Sequence, residues 1–160
     1  PEGIALDPEG NLVVTDYGNH RLQVFTPQGQ LVRCLDGLQT PVGVDVDVQG
    51  NIYVVEQSLH RVQVFNSNYD SIRTFGQQGT EPGSFTTIWG ILVDRDGNMI
   101  LGDRGSHQIL IFTPEGNLIQ AIGKEGTGDL EFKGPSCLAF TPDGRLLVCE
   151  STNNRVQILG

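Results

Sequence analysis

The sequence predicts an all-β repeat protein, and three observations carry that prediction. Residues 1–25 (PEGIALDPEGNLVVTDYGNHRLQVF) return almost unchanged as residues 41–65 (PVGVDVDVQGNIYVVEQSLHRVQVF), and weaker copies follow twice more. The marker glycines Gly10, Gly50, Gly97 and Gly144 stand 40, 47 and 47 residues apart, a period that corresponds to one small supersecondary unit per repeat. Apolar residues come in short runs rich in Val, Ile, Leu and Phe, divided by Pro, Gly and Asn turns.

Taken in order, the first repeat offers strands at residues 3–7, 12–15, 22–25 and 31–35. Pro-Glu-Gly, Tyr-Gly-Asn and Pro-Gln-Gly segments separate them. The glycine after Glu9, Gln49, Asp96 and Asp143 supplies the positive φ that a tight hairpin needs. In the first strands Leu6, Val46, Val93 and Phe140 read as core, as do Phe25, Phe65, Phe112 and Leu159 at the ends of the third strands. Four strands per unit make one blade, and blades repeated radially make a β-propeller. The blades run over residues 1–40, 41–87, 88–134 and 135–160 of a single propeller region, and the last lacks its outer strand. A ring must hide its edges, so the array is expected to be completed by further blades of a longer chain or by a second copy in a homo-oligomer. The absence of an initiator Met and the start inside a repeat fit a segment of a longer chain.

Composition narrows the function classes. Ten basic residues against 19 acidic ones give a net charge of −9, which disfavours a phosphate backbone unless the basic groups gather on one face. No apolar run approaches the roughly 20 residues of a membrane helix, so no membrane partner is expected. Cys34, Cys137 and Cys149 are odd in number and show no CxxC spacing, which points to a reducing, cytoplasmic setting.

The two phrases quoted above, together with the linkers FGQQGTEPGSF (75–85) and IGKEGTGDLEF (122–132), resemble the NHL repeat over essentially the whole chain. The linker style resembles the propellers that end tripartite-motif ubiquitin ligases. The resemblance implies a ring of six blades, of which four are present. It also implies a non-catalytic, target-selecting module, with the ligase chemistry elsewhere because no Cys/His zinc pattern is present. The sequence departs from the pattern at Ile88-Trp89, at Thr141 and at Asn154.

Candidate sites follow from positions that repeat and positions that vary. His20, His60 and His107 share one repeat position with Asn154, and the exchange of His for Asn favours a hydrogen-bonding turn role over zinc. Asp16, Glu56, Asp103 and Glu150 end the second strands. Calcium among them is weighed against local pairing of Asp16 with Arg21, Glu56 with Arg61 and Glu150 with Arg155, and the repeated spacing favours pairing. No metal, cofactor or catalytic residue is therefore assigned, and no enzymatic activity is expected of the chain itself.

The variable residues Tyr17, Val42, Gln57, Trp89, Arg104, Ser136 and Ser151 fall in loops at one end of the blades, where they form a candidate rim for a protein or peptide ligand. Trp89, Tyr17 and Arg104 are residue types enriched at binding hot spots, although Trp89 equally suits packing between blades. The alternative is single-stranded RNA bound through Arg21, Arg61, Arg104 and Arg155 on the same rim. A second alternative, again by resemblance, is a metal-dependent lyase or lactonase-type propeller enzyme.

Overall fold

The computed structural model describes all 160 residues as four blades of a β-propeller. Blade 1 contains β1 (Ile4–Leu6), β2 (Leu12–Asp16), β3 (Arg21–Phe25) and β4 (Leu31–Asp36). Blade 2 contains β5 (Pro41–Val46), β6 (Ile52–Glu56), β7 (Arg61–Phe65) and β8 (Ser71–Phe75), and blade 3 contains β9 (Ile88–Val93), β10 (Met99–Asp103), β11 (Gln108–Phe112) and β12 (Leu118–Ile122). In the linker that follows, β13 (Lys124–Glu125) pairs in parallel with β14 (Glu131–Phe132). Blade 4 has only β15 (Pro135–Phe140), β16 (Leu146–Glu150) and β17 (Arg155–Leu159). Within each blade the strands are antiparallel and adjacent in chain order. No helix is long and apolar enough to cross a membrane.

The hairpins between first and second strands show how the sequence sets each blade. Asp7 Oδ1 accepts N–H groups from Glu9 and Asn11, and Gly10 turns the chain at φ 84°. Asp47 and Asp94 repeat that arrangement. In blade 4 Thr141 replaces the aspartate, and its hydroxyl oxygen accepts Arg145 N–H at 2.9 Å. The turn tolerates the substitution because one side-chain oxygen suffices.

Three seams hold the blades together. Val13, Leu22 and Val24 of blade 1 pack on Val44, Ile52, Val54 and Phe65 of blade 2. Blades 2 and 3 meet over Val55, Val62, Val64, Ile91, Met99 and Leu101, and blades 3 and 4 over Ile100, Ile109 and Val148. Each such side chain, fully buried, contributes about 1.5–3 kcal/mol. The linkers fold back to close the perimeter. Phe85 meets Phe75 and Phe112 edge-on at ring separations of 6.1 and 5.5 Å, while Phe132 fills the corresponding place one blade on.

At the inner end of each seam the next blade's backbone presses on a glycine. A Cβ on Gly3 would lie 2.5 Å from the Val42 carbonyl oxygen; on Gly43 and Gly90 it would run closer still into the carbonyls of Trp89 and Ser136. Thr15 reinforces the first seam, its hydroxyl accepting Gly3 N–H at 2.6 Å and donating to the Val42 carbonyl at 2.8 Å. The two outermost faces have no such cover. Val156 and Ile158 in blade 4 are 55% and 56% exposed, whereas their blade 1 counterparts Leu22 and Val24 are fully buried.

Candidate functional site

The second strand of every blade ends on an acid, and the turn that follows returns through a residue in the left-handed region. That residue is His20, His60, His107 or Asn154, with φ between 49° and 59°. His and Asn tolerate this backbone better than most side chains, which accounts for their exchange at one repeat position. His20 Nδ1 accepts Thr40 N–H and His107 Nδ1 accepts Gly134 N–H, both at 3.3 Å. An Nδ1 that accepts must keep its lone pair, so the neutral ring carries its proton on Nε2.

The acids hold the same turns from within. Arg21 Nε donates to Asp16 at 2.9 Å, Arg61 to Glu56 at 2.6 Å and Arg155 to Glu150 at 2.5 Å. Each buried acid also accepts backbone N–H groups from the loop leading into its own blade: Gln39 on Glu56, Thr86 and Thr87 on Asp103, and Lys133 on Glu150. Burial pushes the Asp103 carboxyl upward, but the donors of Thr86, Thr87 and Gly105 outweigh it and hold the group below its ordinary value. Glu150 behaves alike: burial opposes ionisation, while Arg155, Gln157, Lys133 and Asn153 together favour it. These carboxylates are structural ties, and their oxygens are already occupied. No group of three or more His, Cys, Asp or Glu side chains is gathered as metal ligands would be.

The variable rim positions divide into those that meet and those that do not. The Arg104 guanidinium lies 4.6 Å from the Trp89 ring centroid and donates from Nη2 to Ser151 Oγ at 3.4 Å. Ser151 Oγ donates in turn to the Gly134 carbonyl at 3.2 Å. Ser136 stands beside this group, where it lines both the axial groove and an open pocket of about 490 Å³ on blade 4 that also contains Ser151. Trp89 packs against the seam between blades 2 and 3, and its ring carries Arg104. Tyr17 and Gln57 occupy the equivalent turns of blades 1 and 2 and make no side-chain bond to the cluster. The assignment of Val42 to the rim is corrected: its side chain is fully buried in the seam, and only its carbonyl faces a neighbour.

Three of the four arginines proposed for RNA are engaged within the chain. Arg21, Arg61 and Arg155 are paired to carboxylates, and Arg155 additionally ties the carbonyls of Gly128 and Glu131. Only Arg104 retains a guanidinium directed at the rim without a carboxylate partner.

Below the rim the innermost strands of all four blades line an axial groove of about 220 Å³. Its walls include Glu2, Ile4, Trp89, Ser136 and Cys137. Sequence reasoning passed over Glu2 and Cys137. Glu2 precedes the first strand, and Cys137 sits where the other blades have glycine.

Known structures share this fold. A search among curated proteins finds no match. Among solved structures the fold is similar to a catalytically inactive histidine-to-alanine variant of virginiamycin B lyase from Staphylococcus aureus, solved with quinupristin. The TM-score is 0.76 at 14% identity, over 99% of this chain and 52% of that one. A streptogramin B lyase matches with TM-score 0.73 at 16% identity, over 97% and 50% of the two chains. A protein of unknown function from Bacteroides caccae matches at 0.66 and 15% identity, over 99% and 60%. The chain thus spans about half the length of the lyases it matches, and the likeness is one of fold.

These matches correct two expectations. The reading as a non-catalytic recognition module of a ubiquitin ligase finds no supporting relative, and the propellers that share this fold include lyases, against the expectation that no enzyme is involved. The family model described as NHL repeat matches residues 1–25, 38–65 and 132–159, just over half of the sequence. The chain belongs to the NHL-repeat family.

Proposed function

We propose that the chain is part of a lyase-type propeller enzyme whose substrate lies across the rim and into the axial groove. The observation that carries this reading is the Trp89–Arg104–Ser151 cluster at the groove mouth, on a fold shared with lyases over nearly all of the chain.

A lyase breaks a bond by elimination, so it needs a base for a proton beside a carbonyl and a donor for the oxygen on which charge develops. Arg104 supplies the donor. Its guanidinium lies over the Trp89 ring and is anchored through Ser151, which leaves its remaining N–H groups for a substrate carbonyl or carboxylate. Trp89 offers its edge and remaining face to an apolar or peptide-like substrate body. Glu2 is the exposed carboxylate on the groove wall and takes the proton. Ser136 adds a hydroxyl beside it; the hydroxyl now donates to the Cys149 carbonyl at 3.3 Å.

Trp89 is the only tryptophan of the chain, so its fluorescence reports on this site alone. Titration with quinupristin is expected to change Trp89 emission saturably, and Arg104→Ala is expected to weaken that response at least tenfold. Unchanged emission across the titration would count against the reading.

A further inference from the structure

Blades 1, 2 and 3 carry Gly3, Gly43 and Gly90 at one position of the innermost strand, and blade 4 carries Cys137 there. Across the β1–β2 pair the partner of Gly3 is Thr15, whose blade 4 counterpart is Cys149. The repeat therefore substitutes both members of a cross-strand pair by cysteine in the same blade. Leu138 pairs with Val148 and Ala139 with Leu147, and Cys137 and Cys149 are the next positions of the two strands, at a bulge between Pro135 and Leu138. Val148 is buried in the seam with blade 3 and Leu138 packs against it. Side chains alternate along a strand, so Cys137 and Cys149 both face the side away from blade 3.

Blade 1 supplies the distance scale. A Cβ on Gly3 would lie 3.3 Å from Thr15 Oγ1, the atom that Cys149 Sγ replaces. In a disulfide with its S–S bond of about 2.05 Å, each Cβ lies about 3 Å from the far sulfur, so at the spacing of blade 1 closure needs only a few tenths of an ångström. Cys137 is exposed and Cys149 half-buried, which makes the first the accessible thiol. Burial and the nearness of Cys137 push the Cys149 thiol up, as expected of neighbours.

We propose that Cys137 and Cys149 form a thiol modification site that closes to a cross-strand disulfide on exposure to a small-molecule disulfide such as oxidised glutathione. The Cys137 thiolate attacks one glutathione sulfur and expels the other half as thiolate, giving a mixed disulfide. The Cys149 thiolate then attacks Cys137 Sγ, forms the S–S bond and expels the second glutathione thiolate. One glutathione disulfide is reduced to two thiols as two protein thiols are oxidised, with both thiol protons passing to the departing thiolates. The bridge stands on the groove wall at the position where the other blades need glycine beneath a neighbouring carbonyl, so it blocks close approach of another innermost strand to this face. This inference does not depend on the lyase reading.

The test is to incubate the chain with oxidised glutathione, block remaining thiols with N-ethylmaleimide, and map the products by mass spectrometry without reduction. Free thiols are expected to fall from three to one. Cys34, in the outer strand of blade 1, should remain alkylated, and one linked pair of peptides should contain Cys137 and Cys149. In Cys149→Ser the reaction should stop at a stable glutathione adduct on Cys137. Persistent alkylation of both cysteines in the unmodified sequence, or a glutathione cap on Cys137 that Cys149 does not displace, would overturn the proposal, and neither result depends on the variant folding.

Discussion

Gly90→Ala tests the seam architecture at its tightest point. The added Cβ would run into the Ser136 carbonyl oxygen and lie 3.0 Å from its carbon, and both atoms are backbone of an innermost strand that cannot rotate away. Even the roomiest of the three equivalent glycines, Gly3, would place a Cβ 2.5 Å from Val42 O, against an ordinary contact of about 3.4 Å. Blades 3 and 4 must therefore separate by more than about 1 Å at the axis, which loosens Ile100, Ile109 and Val148 in the seam beyond. Overpacking of this kind costs about 3 kcal/mol when no side chain can yield. For a chain of this size that corresponds to a fall of about 6–12 °C in Tm. Gly18→Ala is the control, since a Cβ there meets nothing within 4 Å and its expected change is within about 0.5 kcal/mol. Thermal unfolding followed by far-UV circular dichroism reads both variants. A Gly90→Ala protein that melts within about 1 °C of Gly18→Ala would refute the account of the seams.

Other perturbations address the ties around the site. Thr15→Val keeps the volume but removes the hydroxyl that links Gly3 N–H to the Val42 carbonyl, so denaturant unfolding should show a loss of about 1–3 kcal/mol. Arg61→Met leaves the fully buried Glu56 carboxylate without its cation, and a loss of about 3 kcal/mol is expected in the same assay. Asp103 and Glu150 have lowered folded values, so their contribution is complete above about pH 5 and is lost as pH falls through those values. Asp45, raised by burial, acts in the opposite sense. The acid limb of the Tm–pH curve should accordingly be shallower in Glu150→Gln. Trp89→Ala should abolish the quinupristin-dependent signal of a fluorescent probe attached at the rim while lowering Tm by only a few degrees; a collapse in Tm would make Trp89 chiefly a seam residue.

Much of the fold was legible because the repeat states each rule four times. The hairpin aspartates, the positive-φ glycines and the missing outer strand of blade 4 all follow from register alone. The pairing of Asp16, Glu56 and Glu150 with the arginine five residues on was legible for the same reason. The second duty of the acids was harder to see, since it involves backbone N–H groups 17 residues earlier. The constant spacing of Gln39 to Glu56, Thr86 to Asp103 and Lys133 to Glu150 is the signal that encodes it.

Val42 was misread because variability was taken to mean exposure. At that position the backbone carbonyl has the invariant task of pressing on Gly3, and the side chain is free to vary within a buried seam. The meeting of Cys137 with Cys149 was hidden because neither cysteine is part of a recognised spacing motif. It becomes visible only when blade 4 is laid over Gly3 and Thr15 of blade 1. The choice between a recognition module and an enzyme had no local signature, because rim chemistry depends on side chains from separate blades that the sequence does not order around an axis.

The most direct test of the functional account is to incubate the chain with virginiamycin B or quinupristin and follow the reaction by mass spectrometry and ultraviolet absorbance. Elimination predicts a new carbon–carbon double bond with no water added to the total product mass, and loss of turnover in Glu2→Gln and Arg104→Ala. Unchanged substrate, or a product carrying an added water, would contradict it.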